Sequence, residues 1–330
     1  MTHRLTALFL LAVTMFAPRA GAQTPVNPRP VEQVRRVLII SIDGLRPDLL
    51  LRARTPNIRA LFEGGTYTFW ARTTAASITL PSHVSMLTGV VPEVHAILWN
   101  ADLPLDKPVY PNAPTLFELA KKAGYSTALC AGKSKFTIMA KPGTIDWGYY
   151  PATLTCENPE VVTQALAILR EHKPDVMVVH LPSVDNVGHA KGWGTPEMTA
   201  AIEQSDECVG QLLRSLDELH LRDSTMILLT ADHGGAGRTH GPEDPRSRTI
   251  PWIVNGPGIR KGFDLTRLGD LDVETYDTFT TTCQMLGIKI ERRVRGKFIS
   301  QILEQQELLQ PPVGGHTQPL TAPATQPAGS

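Results

Sequence analysis

Four runs of the chain are apolar and β-branched almost without a break: Arg36–Ile42 (RVLIISI), Asp175–Leu181 (DVMVVHL), Thr225–Ala231 (TMILLTA) and the shorter Ile250–Val254. Continuous rather than alternating hydrophobicity predicts strands buried on both faces. Thr66–Arg72, rich in threonine and aromatics, and Ser126–Ala131 predict two more. Helical segments lie between them. Ile58–Phe62 follows Thr55-Pro56, an N-cap with proline in the first turn, and stops at Gly64-Gly65. Thr115–Ala123 ends at Gly124, Val161–Glu171 and the long amphipathic Glu197–Leu219 come next, and Asp277–Leu286 stops at Gly287. Strands alternating with helices predict an α/β fold with a mostly parallel central sheet flanked by helices. Residues 132–158 show no clear period and read as an insertion or loop-rich excursion.

The ends of the chain read differently. His3 and Arg4 lead into an apolar run, Leu5–Phe16, and Ala20-Gly21-Ala22 fits a small-residue cleavage pattern. Residues 1–22 are therefore expected to be a signal peptide, too short to remain as a membrane span. Export to the periplasm or the exterior follows. Residues 23–34 read as a Pro-rich linker and 306–330 as a disordered tail, which leaves 35–305 for one catalytic domain. Thirty-two basic residues balance 32 acidic ones, so bulk nucleic-acid binding is not expected. Cys130, Cys156, Cys208 and Cys283 allow disulfides, yet a domain this size needs none.

Candidate chemistry gathers where the apolar runs end. Asp43 follows the first, Asp185 and His189 follow DVMVVHL across a short loop, and Asp232-His233 follow TMILLTA, with His240 close behind. Ligands of open α/β sheets bind beyond the carboxyl ends of the strands. Each piece alone could be a turn, but three together read as a site. Aspartate and histidine without thiolate suit zinc first, with manganese or iron as alternatives. So many ligands exceed one tetrahedral ion and suit two ions about 4 Å apart. The stretch Thr73–His83 opens a predicted helix, and the hydroxyls of Ser77, Thr79, Ser82 and, two residues past the stretch, Ser85 compete as nucleophile or as plain helix caps.

These motifs resemble the alkaline phosphatase superfamily, and within it the nucleotide pyrophosphatase/phosphodiesterase branch. Thr79-Leu80-Pro81-Ser82-His83 is similar to that branch's Thr-apolar-Pro-polar-His motif, and Thr88-Gly89 with Pro92–Ile97 continues the match. The resemblance runs from about Val37 to Gly258, with a weaker echo at Tyr276–Gly287. It implies an alkaline phosphatase-like three-layer sandwich and a small phosphoester substrate. It implies that Thr79 is the nucleophile, forming a phospho-threonine that water later hydrolyses. One ion would lie among Asp43, Thr79, Asp232 and His233, the other among Asp185, His189 and His240. Asn100 matches the amide that contacts phosphate, and a neutral donor suits a singly charged diester. Trp99 beside it, with Phe136, Trp147, Tyr149 and Tyr150, offers stacking surface. His83 and His95 are expected to bond around the turn rather than to hold metal.

The chain also departs from the branch. His233 and His240 are only seven residues apart, where the branch carries a long insertion, so a compact core is expected. A sulfatase would need a (C/S)-x-P-x-R motif, which is missing, and export argues against a phosphoglycerate mutase role. The rival readings are a phosphomonoesterase or phosphonate hydrolase on the same site, and a binding domain that keeps the fold without turnover.

Overall fold

The computed structural model describes residues 27–101 and 108–304. The expected signal peptide, the first part of the linker and the tail lie outside the described residues. Eight strands form one sheet: β1 Arg36–Ile42, β2 Thr66–Arg72, β3 Thr127–Ala131, β4 Trp147–Tyr149, β5 Val176–Leu181, β6 Thr225–Thr230, β7 Thr249–Asn255 and β8 Phe263–Asp264. Their order is β4-β3-β5-β1-β6-β7-β2-β8. Every neighbouring pair is parallel except the two made by β7, so β7 alone runs backwards. All six expected strands form. The two missed strands, β4 and β8, are the edges, too short to carry a period.

Ten helices accompany the sheet among the described residues: α1 Pro47–Arg52, α2 Pro56–Glu63, α3 Thr79–Thr88, α4 Pro92–His95, α5 Leu116–Lys122, α6 Asn158–His172, α7 Ser183–Lys191, α8 Pro196–Glu218, α9 Pro245–Arg248 and α10 Asp277–Met285. The long α8 packs on α1, α2, α6 and α7, while α10 packs on α3 and α5. The sheet lies between, which is the expected three-layer α/β sandwich. The central strands β1, β5 and β6 are buried almost along their whole length, which explains their unbroken apolar sequences. No described helix is long and apolar enough to cross a membrane. The four cysteines are free thiols, three of them buried.

Two local findings bear on the site. The Asp185–His189 stretch is helix, not loop: Ser183–Lys191 has weak helix formers, and its packing on α8 decides the conformation. Its Gly188 is needed, because a Cβ there would lie 2.6 Å from the Trp193 ring. Thr55 does sit at the N-cap of α2, but its side chain makes no capping bond. The cap comes from α8. Asp206 Oδ1 accepts from Ile58 N at 2.7 Å, and Oδ2 accepts from Asn57 N at 3.2 Å and Asn57 Nδ2 at 2.7 Å. This buried carboxylate clamps α2 to α8. We expect Asp206→Ala to lower unfolding free energy by about 2–3 kcal/mol in urea titrations. An unchanged urea midpoint would show that the clamp contributes nothing.

Candidate active site

Four adjacent parallel strands, β3, β5, β1 and β6, end on the same edge of the sheet. Just past those ends stand Lys133, Asp185, Asp43, and Asp232 with His233. Asp43, Asp185, Asp232 and His233 are all essentially inaccessible to solvent. The hub is His233 Nε2, which lies 3.2 Å from Asp232 Oδ2, 3.3 Å from Asp43 Oδ1 and 3.4 Å from Thr79 Oγ1. Asp185 Oδ1 is 4.0 Å from the same nitrogen. A second group adjoins it: Asp185 Oδ1 lies 3.4 Å from His189 Nε2 and 3.7 Å from His240 Nε2, and the two imidazole nitrogens are 3.2 Å apart. Asp185 and His189 share a face of α7, one turn apart.

These residues fit two cations. Ligand atoms about 2.0–2.2 Å from a tetrahedral ion are about 3.3–3.6 Å from one another, and the spacings of both groups lie close to that. Asp43 Oδ1, Asp185 Oδ1 and Asp232 Oδ2 are buried with no hydrogen-bond donor. The other ring nitrogen of each of these histidines faces a backbone carbonyl. Nδ1 of His233 faces the Gly234 carbonyl at 2.8 Å, that of His240 the Ser77 carbonyl at 2.8 Å, and that of His189 the Arg238 carbonyl at 3.1 Å. A carbonyl only accepts, so each Nδ1 carries the proton and each Nε2 presents a lone pair. Lone pairs of His189 and His240 face each other, an arrangement relieved only by a proton or a cation between them.

The electrostatics agree. Burial and the nearby Asp43 charge push the Asp232 carboxyl well above the usual range. Burial also works against ionised Asp43, but Lys133, His180 and His233 outweigh it and hold that carboxyl well below the usual range. Burial and neighbouring His240 push His233 down to about 4, which keeps it neutral. Burial lowers His240 too, whereas the adjacent Asp185 carboxylate raises His189.

Thr79 is the first residue of α3, so the expected helix start holds. The turn before it is strained and pinned. Ser77 sits in the left-handed region at φ 49°, rare for a residue with a Cβ. Its carbonyl receives His240, and its hydroxyl donates to Thr74 O at 3.2 Å. His83 donates from Nδ1 to Thr79 O at 2.9 Å, and its Nε2 bonds Ser41 at 2.8 Å. His95 bonds Ser85 at 3.0 Å and Ile97 N at 3.1 Å. Asn100 Oδ1 accepts from Leu80 N and from Lys135 Nζ, each at 3.0 Å, which places its amide at the start of α3. Trp99 packs half-buried against the core.

Three participants escaped the sequence reading. Lys133 Nζ lies 2.7 Å from Asp43 Oδ2 and 2.6 Å from Asp185 Oδ2. His180 accepts from Gly132 N at Nδ1, so its Nε2–H donates to Asp43 Oδ2 at 2.9 Å. Trp193 Nε1 donates to Gly44 O at 2.8 Å beneath the cluster. A signal for Lys133 was present: it stands two residues past an apolar strand, as Asp232 does.

A family model described as "Type I phosphodiesterase / nucleotide pyrophosphatase" matches residues 37–243. Among curated proteins, the chain is 27% identical over 216 residues to an uncharacterized pyrophosphatase/phosphodiesterase of Schizosaccharomyces pombe, covering 61% of this chain and 44% of that protein. It is 28% identical over 237 residues to human ectonucleotide pyrophosphatase/phosphodiesterase family member 1, covering 65% of this chain and 24% of the relative. Venom phosphodiesterase of Macrovipera lebetinus is 27% identical over 214 residues, covering 60% of this chain and 25% of the relative. The chain thus spans less than half the length of these relatives. An inactive murine ectonucleotide pyrophosphatase/phosphodiesterase 5 in complex with AMP shares the fold at a TM-score of 0.69 and 14% identity, covering 82% of this chain and all of that one. A 2-O GAG sulfatase shares it at 0.66 and 16% identity, over 82% of this chain and 74% of that one.

The tautomers separate histidines whose Nε2 could take a cation from His180, whose Nε2 donates to Asp43. We expect His233→Ala and His240→Ala each to lose about one bound ion per chain in elemental analysis after dialysis. His180→Phe should keep both sites at high metal concentration, with affinity lowered about 10–100-fold. Loss of an ion at saturating metal in His180→Phe would contradict this division.

Proposed function

The chain belongs to the type I phosphodiesterase / nucleotide pyrophosphatase family, and from that premise we propose that it is an exported, two-metal hydrolase of phosphate esters working through a phospho-threonine at Thr79. One observation carries the reading: three carboxylate oxygens without hydrogen-bond donors and three imidazole lone pairs converge beside the Thr79 hydroxyl. Divalent ions held by Asp43, Thr79, Asp232 and His233, and by Asp185, His189 and His240, would supply Lewis acidity that eases loss of the hydroxyl proton and offsets phosphoryl charge. The all-nitrogen-and-oxygen donor set suits zinc, then manganese or iron.

The chain's own residues do the rest. His83 and Asn100 hold the first turn of α3, so Thr79 Oγ1 keeps one position at the helix N-terminus. That oxygen gives up its proton to solvent and attacks phosphorus, the bond to the leaving oxygen breaks, the leaving group departs as an alcohol after taking a proton from water, and the phosphoryl group rests on Thr79. Water then attacks the same phosphorus and returns the hydroxyl. The Oδ1 of Asn100 is occupied by Leu80 N and Lys135, which leaves Nδ2 to donate to a non-bridging oxygen. A neutral donor suits a diester. Trp99, one residue earlier, offers a face to an aromatic leaving group. The relatives named for nucleotide pyrophosphatase activity and the AMP-bound murine protein support a nucleotide-like substrate. The N-terminal pattern, with relatives named as ectoenzymes or venom components, supports export.

A second reading, monoester or phosphonate hydrolysis, has one observation in its favour. Lys135 brings an ammonium group beside Asn100, and a dianion would match that charge better.

Two measurements decide. Thr79→Ala should lower kcat/KM by about 10³-fold or more, and acid quenching of the wild type should trap phosphate on Thr79. Wild-type turnover by Thr79→Ala would remove it as nucleophile. The kcat/KM for bis-p-nitrophenyl phosphate should exceed that for p-nitrophenyl phosphate by about tenfold or more. The reverse ratio selects the monoester reading.

A further inference from the structure

Lys133 is the only lysine or arginine that is buried among the described residues. It comes from the stretch that follows β3, yet it reaches the centre of the site. Its ammonium divides each of two carboxylates in the same way. The Oδ2 atoms of Asp43 and Asp185 take Lys133 at 2.7 and 2.6 Å. Their Oδ1 atoms are left without donors and face the imidazoles. His180 adds a second donor to Asp43 Oδ2. Asp232 has no ammonium of its own, and its Oδ1 takes only Gly44 N, at 3.2 Å. Three buried carboxylates therefore share one fixed positive charge.

We propose that Lys133 is a positioning residue for both cation sites. It turns one oxygen of Asp43 and one of Asp185 towards the histidines. It also stands in for metal charge while the sites are empty, so that the chain folds before it takes up ions. The second role follows from charge. A buried carboxylate without a counter-charge is costly, and sites without such a charge fold only as metal binds. This proposal rests on the two-cation reading above.

The test compares wild type, Lys133→Met and the double variant Lys133→Met/Asp185→Asn. Each is melted after chelation and again with zinc or manganese, and bound metal is measured. Lys133→Met should lower the metal-free melting temperature by about 10 °C. Added metal should recover more than half of that loss, so the metal-induced shift is larger in the variant than in the wild type. In the metal-free form, the double variant should melt above Lys133→Met, because it has one fewer charge to compensate. A lysine that only fills space predicts equal losses with and without metal, and a further loss in the double variant. Either result overturns the proposal. If Lys133→Met does not fold without metal but folds with it, that supports the proposal. If it folds in neither condition and Asp185→Asn does not rescue it, the proposal fails. If metal neither binds nor shifts any of the three proteins, the two-cation reading itself fails.

Discussion

Three carboxylates, Asp43, Asp185 and Asp232, are gathered in a dry space around one imidazole nitrogen, each within 4.0 Å of it. Like charges about 4 Å apart repel by about 4 kcal/mol even at an effective dielectric of about 20. No stretch of polypeptide would collect them without compensation, and much of the surrounding structure supplies it. Lys133 and His180 take the outer oxygens, Gly44 N caps one side of Asp232, and the inner oxygens take no hydrogen-bond donor. The sheet makes the crowding possible. Adjacent parallel strands deliver their last residues to one edge, and the hydrogen-bonded ladders leave the strands no freedom to spread.

The reversed strand β7 closes this arrangement. The chain leaves β6 through Asp232 and His233, turns within a short loop that holds His240, and re-enters the sheet antiparallel beside β6. His240 thereby stacks on His233, with ring centroids 3.7 Å apart, and reaches the Ser77 carbonyl. The turn before Thr79 and the loop that holds His240 are joined through that one hydrogen bond.

The central strands could be read directly because burial on both faces writes an unbroken apolar run, and β1, β2, β5, β6 and β7 fall within about a residue of expectation. The edge strands β4 and β8 were not legible, since backbone pairing of two or three residues leaves no pattern. Helix α7 was hidden for another reason. Asn186 and Gly188 argue locally against helix, and packing on α8 overrules them. The Asp and His positions stood out in the sequence because they interrupt or follow apolar runs. Lys133, two residues past β3, and His180, inside the run DVMVVHL, hold comparable places, but what they do depends on partners far away in the chain. Lys133 meets Asp185 across 52 positions, and His180 meets Asp43 across 137. Neither residue type announces that role without the fold.

The three imidazoles that present lone pairs are each held at Nδ1 by a carbonyl: Gly234, Ser77 or Arg238. The rotational entropy of those rings is therefore spent when the chain folds, not when an ion arrives. A cation taken up there would shed its water but would not have to order the rings, so more of the coordination energy would be expressed as affinity. The same backbone bonds fix which nitrogen each ring offers, so ring flips that could offer a different ligand atom are closed to it.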